Sequence, residues 1–254
     1  SLKTSQDYML HPTSLTTTWA FDNYITAWNK ANFGAYIGNS VLYTAVCTIA
    51  SLILSLLIAF PISRKYIPAS GFLYVLFLCG LFLPSGLIPT FQMVLNMGLY
   101  DTKLGYMLVM TGVNATSVFF FTGYFKSIPR ELDEAASIDG ASQLGIFLKI
   151  NLRAATPATI VVFIFSLVWN WNETTLADTY FGKSLVTLPL ALQRFRDTFT
   201  RMYPVVDTQS IEAQLNQGVE MAAAVLSIIP LLLIYVLVER KLIESIDKSG
   251  ITGE

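Results

Sequence analysis

Charge is scarce in this chain of 254 residues: Asp, Glu, Lys and Arg together make up 13% of it, against about 25% in an ordinary soluble domain. The net charge is −1, so there is no basic field suited to nucleic acid. His11 is the only histidine, and the cysteines are Cys47 and Cys79. That inventory leaves no Cys/His cluster for a zinc-type metal site. Both cysteines lie inside apolar runs and read as small buried hydrophobes rather than a disulfide pair. No G-x-x-x-x-G-K-[ST] loop occurs, so no ATP-hydrolysing P-loop is encoded here.

What the chain has instead is apolar sequence: 54% of it is hydrophobic, with a mean hydropathy of +0.56. The excess is gathered in runs long enough for a bilayer, which takes roughly 20 helical residues. Five spans are expected, over about Tyr36 to Phe60, Phe72 to Leu95, Leu104 to Phe125, Ala155 to Trp169 and Met221 to Val238. Pro84, Gly86 and Pro89 break the second, and Pro230 sits inside the fifth. Such breaks are tolerated where neighbouring helices satisfy the freed backbone groups. The fold class is therefore an all-α polytopic membrane protein. None of the five runs holds Asp, Glu or His between its ends. This argues against an intramembrane hydrolase or glycosyl transferase, which needs paired carboxylates or a nucleophile with its base.

Lys and Arg set the orientation. The connections 61–70, 126–153 and 239–254 carry nine of them in 54 residues, whereas 1–35, 96–103 and 170–217 carry seven in 91. The denser set is expected in the cytoplasm, together with the C-terminus. Five spans would leave residue 1 outside, in a segment 1–35 preceding a transmembrane domain 36–254. A sixth span ahead of residue 1 is the simplest expectation.

One inner connection, 126–153, is unusual. "SIPRELDEAASIDGASQLGIFLKI" reads as two short helices with a bend. The first is expected to start at Ser127 or Ile128, with Pro129 in its first turn, where a missing N–H costs nothing. Glu131, Asp133 and Glu134 suit its positive end. Ala135 and Ala136 offer a smooth surface, and Gly140 stops the helix. Ile146, Phe147 and Ile150 form an apolar stripe. Helices lying on the inner leaflet favour Lys and Arg, so a small, acidic knob fits a protein cleft better than a lipid surface.

The series Glu134-Ala135-Ala136, Asp139-Gly140-Ala141, Phe147, Ile150, Leu152 and Pro157 resembles the EAA loop of permease subunits of binding-protein-dependent ABC importers. Further stretches are similar to the carbohydrate-uptake branch, and most of all to the second membrane subunit of maltose-type importers. They include "SLKT", Asn39-Ser40, "AFPISRK" at 59–65, "GLYDTKLG" at 98–105, "WNE" at 171–173, "TLPLAL" at 187–192 and "SGITGE" at the end. Two departures are Arg153, where the family usually has proline, and the charged stretch "ERKLIESIDKSG". The resemblance implies a type I importer permease fold. It implies that Glu134, Ala135, Ala136, Asp139, Gly140 and Ala141 form the coupling helix seated on an ATPase. The implied partners are a second permease, most simply in a heterodimer, two ATPase subunits that bind the ATP and magnesium, and an extracytoplasmic solute-binding protein. The implied cargo is a sugar or oligosaccharide in a bacterial inner membrane; an amino acid, peptide or phosphate is the alternative. A passive channel would need no coupling helix.

For the substrate pathway, Trp171, Asn172 and Glu173 are candidates, since aromatic faces cover pyranose rings and polar groups bind hydroxyls. Trp169 reads equally as an interfacial belt residue. Thr111, Asn114 and Ser117 recur every three residues and would share one helix face, with Asn114 facing a watery path or a neighbouring helix. Gly112 and Thr116 have the small-xxx-small spacing of close helix contact. Gln92 is a further candidate. The outer loop 170–217, with Arg194, Arg196 and Arg201, is expected to help dock the binding protein; its arginines read as a solvated cluster or as a preference for anionic sugars.

Overall fold

The structure, a computed structural model, describes the chain apart from residues 5, 6, 8–10, 12, 17, 18, 31, 32, 84, 85, 181–185, 195–210 and 249–254; side chains at 30, 35, 211–217, 238 and 240–248 are also outside the description. Every regular element among the described residues is helical. The two longest helices are Phe33–Arg64 and Ile211–Lys248, with Pro61 and Pro230 inside them. Their stretches Tyr36–Arg64 and Gly218–Leu237 are long and apolar enough to cross a membrane. Two further crossings are available only as bent pairs. Lys103–Met110 joins Ala115–Ser127 at 44°, and Gln143–Ala154 joins Thr156–Asn172 at 77°.

The expected second span is not one helix. Ser70–Gly80 and Leu87–Asn96 are separate elements of 11 and 10 residues. At 1.5 Å per residue each reaches about 16 Å, half of a ~30 Å hydrocarbon core. The five expected spans thus resolve into two continuous helices, two bent pairs and this divided segment. The third departs in detail as well: it bends where residues 111–114 leave the helix.

The chain forms two compact units, each built from discontinuous stretches. The first comprises Ser1–Thr44, Val94–Tyr106 and Trp171–Ile234; the second comprises Ala45–Met93, Met107–Asn170 and Tyr235–Glu254. In the first, Ala27, Phe33, Trp171, Leu188, Val219, Ala222 and Ala223 form the core. In the second, Phe60, Phe125 and Phe147 pack ring against ring, with centroids 5.0–6.4 Å apart, among Leu56, Val118, Phe121 and Ile146.

The helix Phe33–Arg64 is inside out relative to a soluble helix. Ser40, Thr44, Thr48, Ser51 and Ser55 are buried, while Val46, Ile49, Ile53 and Leu57 are exposed. Small hydroxyl residues allow close helix contact, and apolar residues suit lipid. Cys47 lies buried on the same helix, but Cys79 is exposed, which corrects the expectation that both cysteines are internal. Cys79 is on an apolar helix whose surface is itself apolar, so burial within the protein was not needed to accommodate it.

Candidate functional site

The connection 126–153 belongs to the second unit. Its first helix is Glu131–Ile138, three or four residues later than expected. Ile128 is extended and ends the preceding helix, so Pro129 lies in the link rather than in a helical first turn. Glu131, Asp133 and Glu134 do occupy the first turn, where the helix dipole favours them. The helix is terminated by Gly140, two residues past its end, with φ +80°. The Gly140 N–H donates to Ser137 O at 3.1 Å, and the Ala141 N–H to Ala136 O at 2.9 Å. This crossed pair is the Schellman termination, which needs a left-handed residue. Ser142 then opens the next helix by accepting from the Gly145 N–H at 3.2 Å.

Glu134, Ala135, Asp139, Gly140 and Ala141 are all exposed, and Ala136 is half-buried, packed on the core of its unit. Sequence reasoning missed the exposed apolar residues of this connection, of which Ile138, 87% accessible, and Leu144, 60% accessible, are the most exposed and Leu132 and Leu148 are the others. Ile138 and Leu144 flank the Gly140 bend in sequence. The signal was an Ile before Asp-Gly, outside any apolar run. Of the expected apolar stripe, Ile146 and Phe147 are buried and Ile150 is half-buried, because residues 147–151 form a π-helical turn that shifts the spacing.

Beneath this surface lies a buried polar cluster. Arg64 Nε sits 2.7 Å from Asp133 Oδ2. Arg64 Nη1 donates to Ile128 O at 3.0 Å and Nη2 to Asn151 Oδ1 at 2.9 Å. Asn151 Nδ2 donates to Asp133 Oδ1 at 2.6 Å. Arg64 and Asp133 are each 6% accessible and Asn151 is fully buried. Asn151 is oriented by its neighbours, since its amide oxygen meets a cation and its NH2 a carboxylate. Nearby, burial first and then the Asp133 carboxylate push the Tyr66 phenol up, with Arg64 and Arg130 opposing. Arg64 itself is followed by Lys65 at φ 59°. Lys65 N–H to Ile62 O and Tyr66 N–H to Pro61 O close that helix in the same crossed pattern. Arg153, the departure from the family proline, is exposed in the last turn of its short helix.

The pathway candidates are divided between the units: Trp171, Asn172 and Glu173 belong to the first, Gln92 and Asn114 to the second. Trp171 is 3% accessible, and its Nε1 donates to Ser227 O at 3.3 Å, so it packs in the core of the first unit. Its neighbour Trp169 is 72% accessible. Glu173 opens the helix Thr175–Tyr180: its carboxylate accepts from Leu176 N at 2.9 and 3.0 Å and from Ala177 N at 3.1 Å. Asn172 and Gln92 are exposed. Asn114 caps the helix Ala115–Ser127, accepting from Thr116 N at 2.9 Å and Ser117 N at 3.3 Å. The single helix face expected for Thr111, Asn114 and Ser117 is therefore interrupted, and so is the one for Gly112 and Thr116. A polar contact that sequence reasoning did not identify, Asn170 Nδ2 to Thr48 Oγ1 at 2.9 Å, lies within the second unit. Arg194 pairs with Asp178, with N–O distances of 3.1 and 2.8 Å; Arg196, Arg201 and the terminal "SGITGE" lie outside the described residues.

Several quoted stretches have structural duties. Asn39 donates to Val186 O at 3.4 Å and Ser40 accepts from Leu188 N at 2.6 Å, which ties "NS" to the start of "TLPLAL". In "GLYDTKLG", Gly98 takes φ +69°, and a Cβ on Gly105 would meet Leu99 O at 2.2 Å.

The profile of a family described as "Binding-protein-dependent transport system inner membrane component" matches residues 33–246. The chain is 28% identical to the probable ABC transporter permease protein YurM of Bacillus subtilis, covering 100% of this chain and 81% of the relative. It is 29% identical to the diacetylchitobiose uptake system permease protein NgcG of Streptomyces coelicolor, over 98% and 80% of the two chains. It is 26% identical to the melibiose/raffinose/stachyose import permease protein MelC of B. subtilis, over 100% and 88%. A crystal structure of a bacterial ABC transporter involved in the import of the acidic polysaccharide alginate superposes with a TM-score of 0.72 at 23% identity, over 89% of this chain and 81% of that one.

Proposed function

Since this chain belongs to the binding-protein-dependent transport system inner membrane component family, a family of transport components rather than enzymes, we propose that it is the permease subunit of an ATP-driven importer for a sugar or oligosaccharide. It is a multi-pass inner-membrane protein working with ATPase and solute-binding partners. Proposed beyond that are a heterodimer with a second permease, two ATPase subunits holding ATP and magnesium, and a cytoplasmic connection 126–153 with a cytoplasmic C-terminus. The sugar reading is supported by the relatives' names, which include a diacetylchitobiose and a melibiose/raffinose/stachyose permease.

The observation that carries the coupling role is the projecting bend at Gly140. A connection that exposes Glu134, Ala135 and Asp139 together with Ile138 and Leu144 has the makeup of a docking site: apolar anchors with polar neighbours. Alanine permits close approach, and Glu134 can make a charge-assisted bond to a basic groove. In operation, closure of the ATPases would push this bend, and the displacement would pass into the membrane helices to alternate access to the solute.

The test is ATPase retention on purified complexes. Glu134→Lys places like charge against the groove, at a cost on the order of a few kcal/mol if desolvated. Gly140→Val forces a β-branched residue into positive φ. Both variants should insert normally yet lose the ATPases or their stimulation. Normal retention and stimulation in both would show that the bend is not the coupling element.

A further inference from the structure

We infer that Arg64, Asp133 and Asn151 form a clamp that makes the projecting helix and the inner end of the helix Phe33–Arg64 move as one body, so that these three are positioning residues for coupling. The inference rests on the docking role proposed for the Gly140 bend. It adds the part that carries the displacement onward.

Three features support it. Arg64 alone reaches three elements: Asp133 on the projecting helix, Asn151 on the π turn, and the Ile128 carbonyl that ends the helix Ala115–Ser127. Asn151 closes the triangle by donating to Asp133. The two Arg64 bonds and the one from Asn151 to Asp133 each have a charged donor or acceptor, Asn151 adds a longer one to the Ile146 carbonyl at 3.5 Å, and the members are almost wholly shielded from solvent. Charge-assisted bonds are directional and about twice as strong as neutral ones, and removing one partner strands a buried charge. Such a cluster is stiff by construction, whereas the apolar contacts around it allow sliding. The π turn at Phe147–Asn151 is a local distortion of a kind often found at functional sites. Here it sets the register that brings Asn151 under Asp133.

Arginine is required because its guanidinium donates in two fixed directions, to Ile128 O and Asn151 Oδ1, while its Nε edge is held by charge against Asp133 Oδ2 without an aligned hydrogen bond; a lysine ammonium at the same place is a point charge on a flexible stem. Asp133→Asn keeps the shape and loses the charge. It should leave the protein in the membrane while allowing the projecting helix to swing independently.

The experiment uses the transporter purified with its partner subunits, in a background lacking Cys47 and Cys79, with spin labels at the exposed positions Ile67 and Glu131. Electron–electron distances are compared between nucleotide-free and ATP–vanadate states. The expected result is one narrow distribution, unchanged between the states. With Asp133→Asn or Arg64→Lys the distribution should broaden or shift, and solute-stimulated ATP hydrolysis should fall at least about tenfold, ~1.4 kcal/mol, with the ATPases still bound. Should Asp133→Asn fail to assemble, the Arg64→Met/Asp133→Leu pair preserves packing without a stranded charge; it should assemble and show the same broadening. A shift above about 5 Å, one helical turn, between the states of the unmodified complex would overturn the proposal. So would distributions and stimulation in the variants matching those of the unmodified complex. Glu134→Lys separates the two ideas: it should shed the ATPases yet keep the narrow distribution. If it and Gly140→Val both keep normal ATPase binding and stimulation, the docking reading fails while the distances still decide the clamp.

Discussion

Two tryptophans two positions apart have opposite surroundings, and this decides what their removal does. Trp169 is 72% accessible and Trp171 only 3%. Trp171 also gives its indole N–H to the Ser227 carbonyl, on the helix Ile211–Lys248. Truncating it leaves a cavity among Phe33, Leu188 and Val219 and orphans that acceptor. Trp171→Ala should therefore destabilise the protein by about 3–5 kcal/mol and lower its amount in the membrane, whereas Trp169→Ala should change stability little. Thermal unfolding of the purified subunit in detergent checks both. A Trp171→Ala protein with an unchanged midpoint and impaired uptake would return the residue to the pathway. Glu173 belongs with Trp171 as a fold-maker, since its carboxylate accepts from two backbone N–H groups at a helix start. The "WNE" stretch was legible as a signature, but the burial of Trp171 was not, because whether a Trp faces inward depends on helix rotation, and apolar sequence on all sides does not encode it.

At the scale of elements, the loop with the Gly140 bend was the most legible part. Its determinants are local: carboxylates in a first turn and a glycine at the stop, all within ten residues; the Ser142 cap that opens the next helix was not identified from the sequence. Gly140 takes the positive φ that its position suggested. The Arg64 clamp was not legible, because its bonds join residues as much as 87 positions apart. The third apolar run shows a different limit. Its three-residue polar spacing suited a helix face, yet Asn114 hydrogen-bonds its own following backbone, a habit of Asn that favours helix starts over helix interiors. Hydropathy cannot separate a straight span from one bent by 44°. Asn114→Ala should remove the cap and cost about 0.5–2 kcal/mol, read as a lower unfolding midpoint, and Asn114→Asp or Asn114→Ser should recover most of it. If Asn114→Ala leaves the midpoint alone and reduces uptake, the side chain serves the solute rather than the helix.

For the whole molecule, the arrangement proposed across the membrane rests on charge, and the structure sharpens how that charge is counted. Arg64 is buried against Asp133 and Arg194 pairs with Asp178, so neither acts as a free cation at a membrane surface. Omitting one from each set leaves eight Lys and Arg in the 54 residues of 61–70, 126–153 and 239–254, against six in the 91 residues of the other set. The bias survives, at more than twofold in density. Its physical source is the anionic inner leaflet and the membrane potential, which hold short basic connections on the cytoplasmic side. On the proposed orientation, exposed Gln143, beside the Gly140 bend, and exposed Thr175, at the start of a helix after "WNE", are expected on opposite sides of the membrane. Single cysteines at these positions, in a background lacking Cys47 and Cys79, should react differently with a membrane-impermeant maleimide. In intact cells whose outer barrier has been opened, position 175 should label and position 143 should not; after the membrane is permeabilised, both should. Labelling of position 143 in intact cells at the rate of 175 would put the acidic bend outside, where no cytoplasmic ATPase could reach it, and would remove the basis for its coupling role.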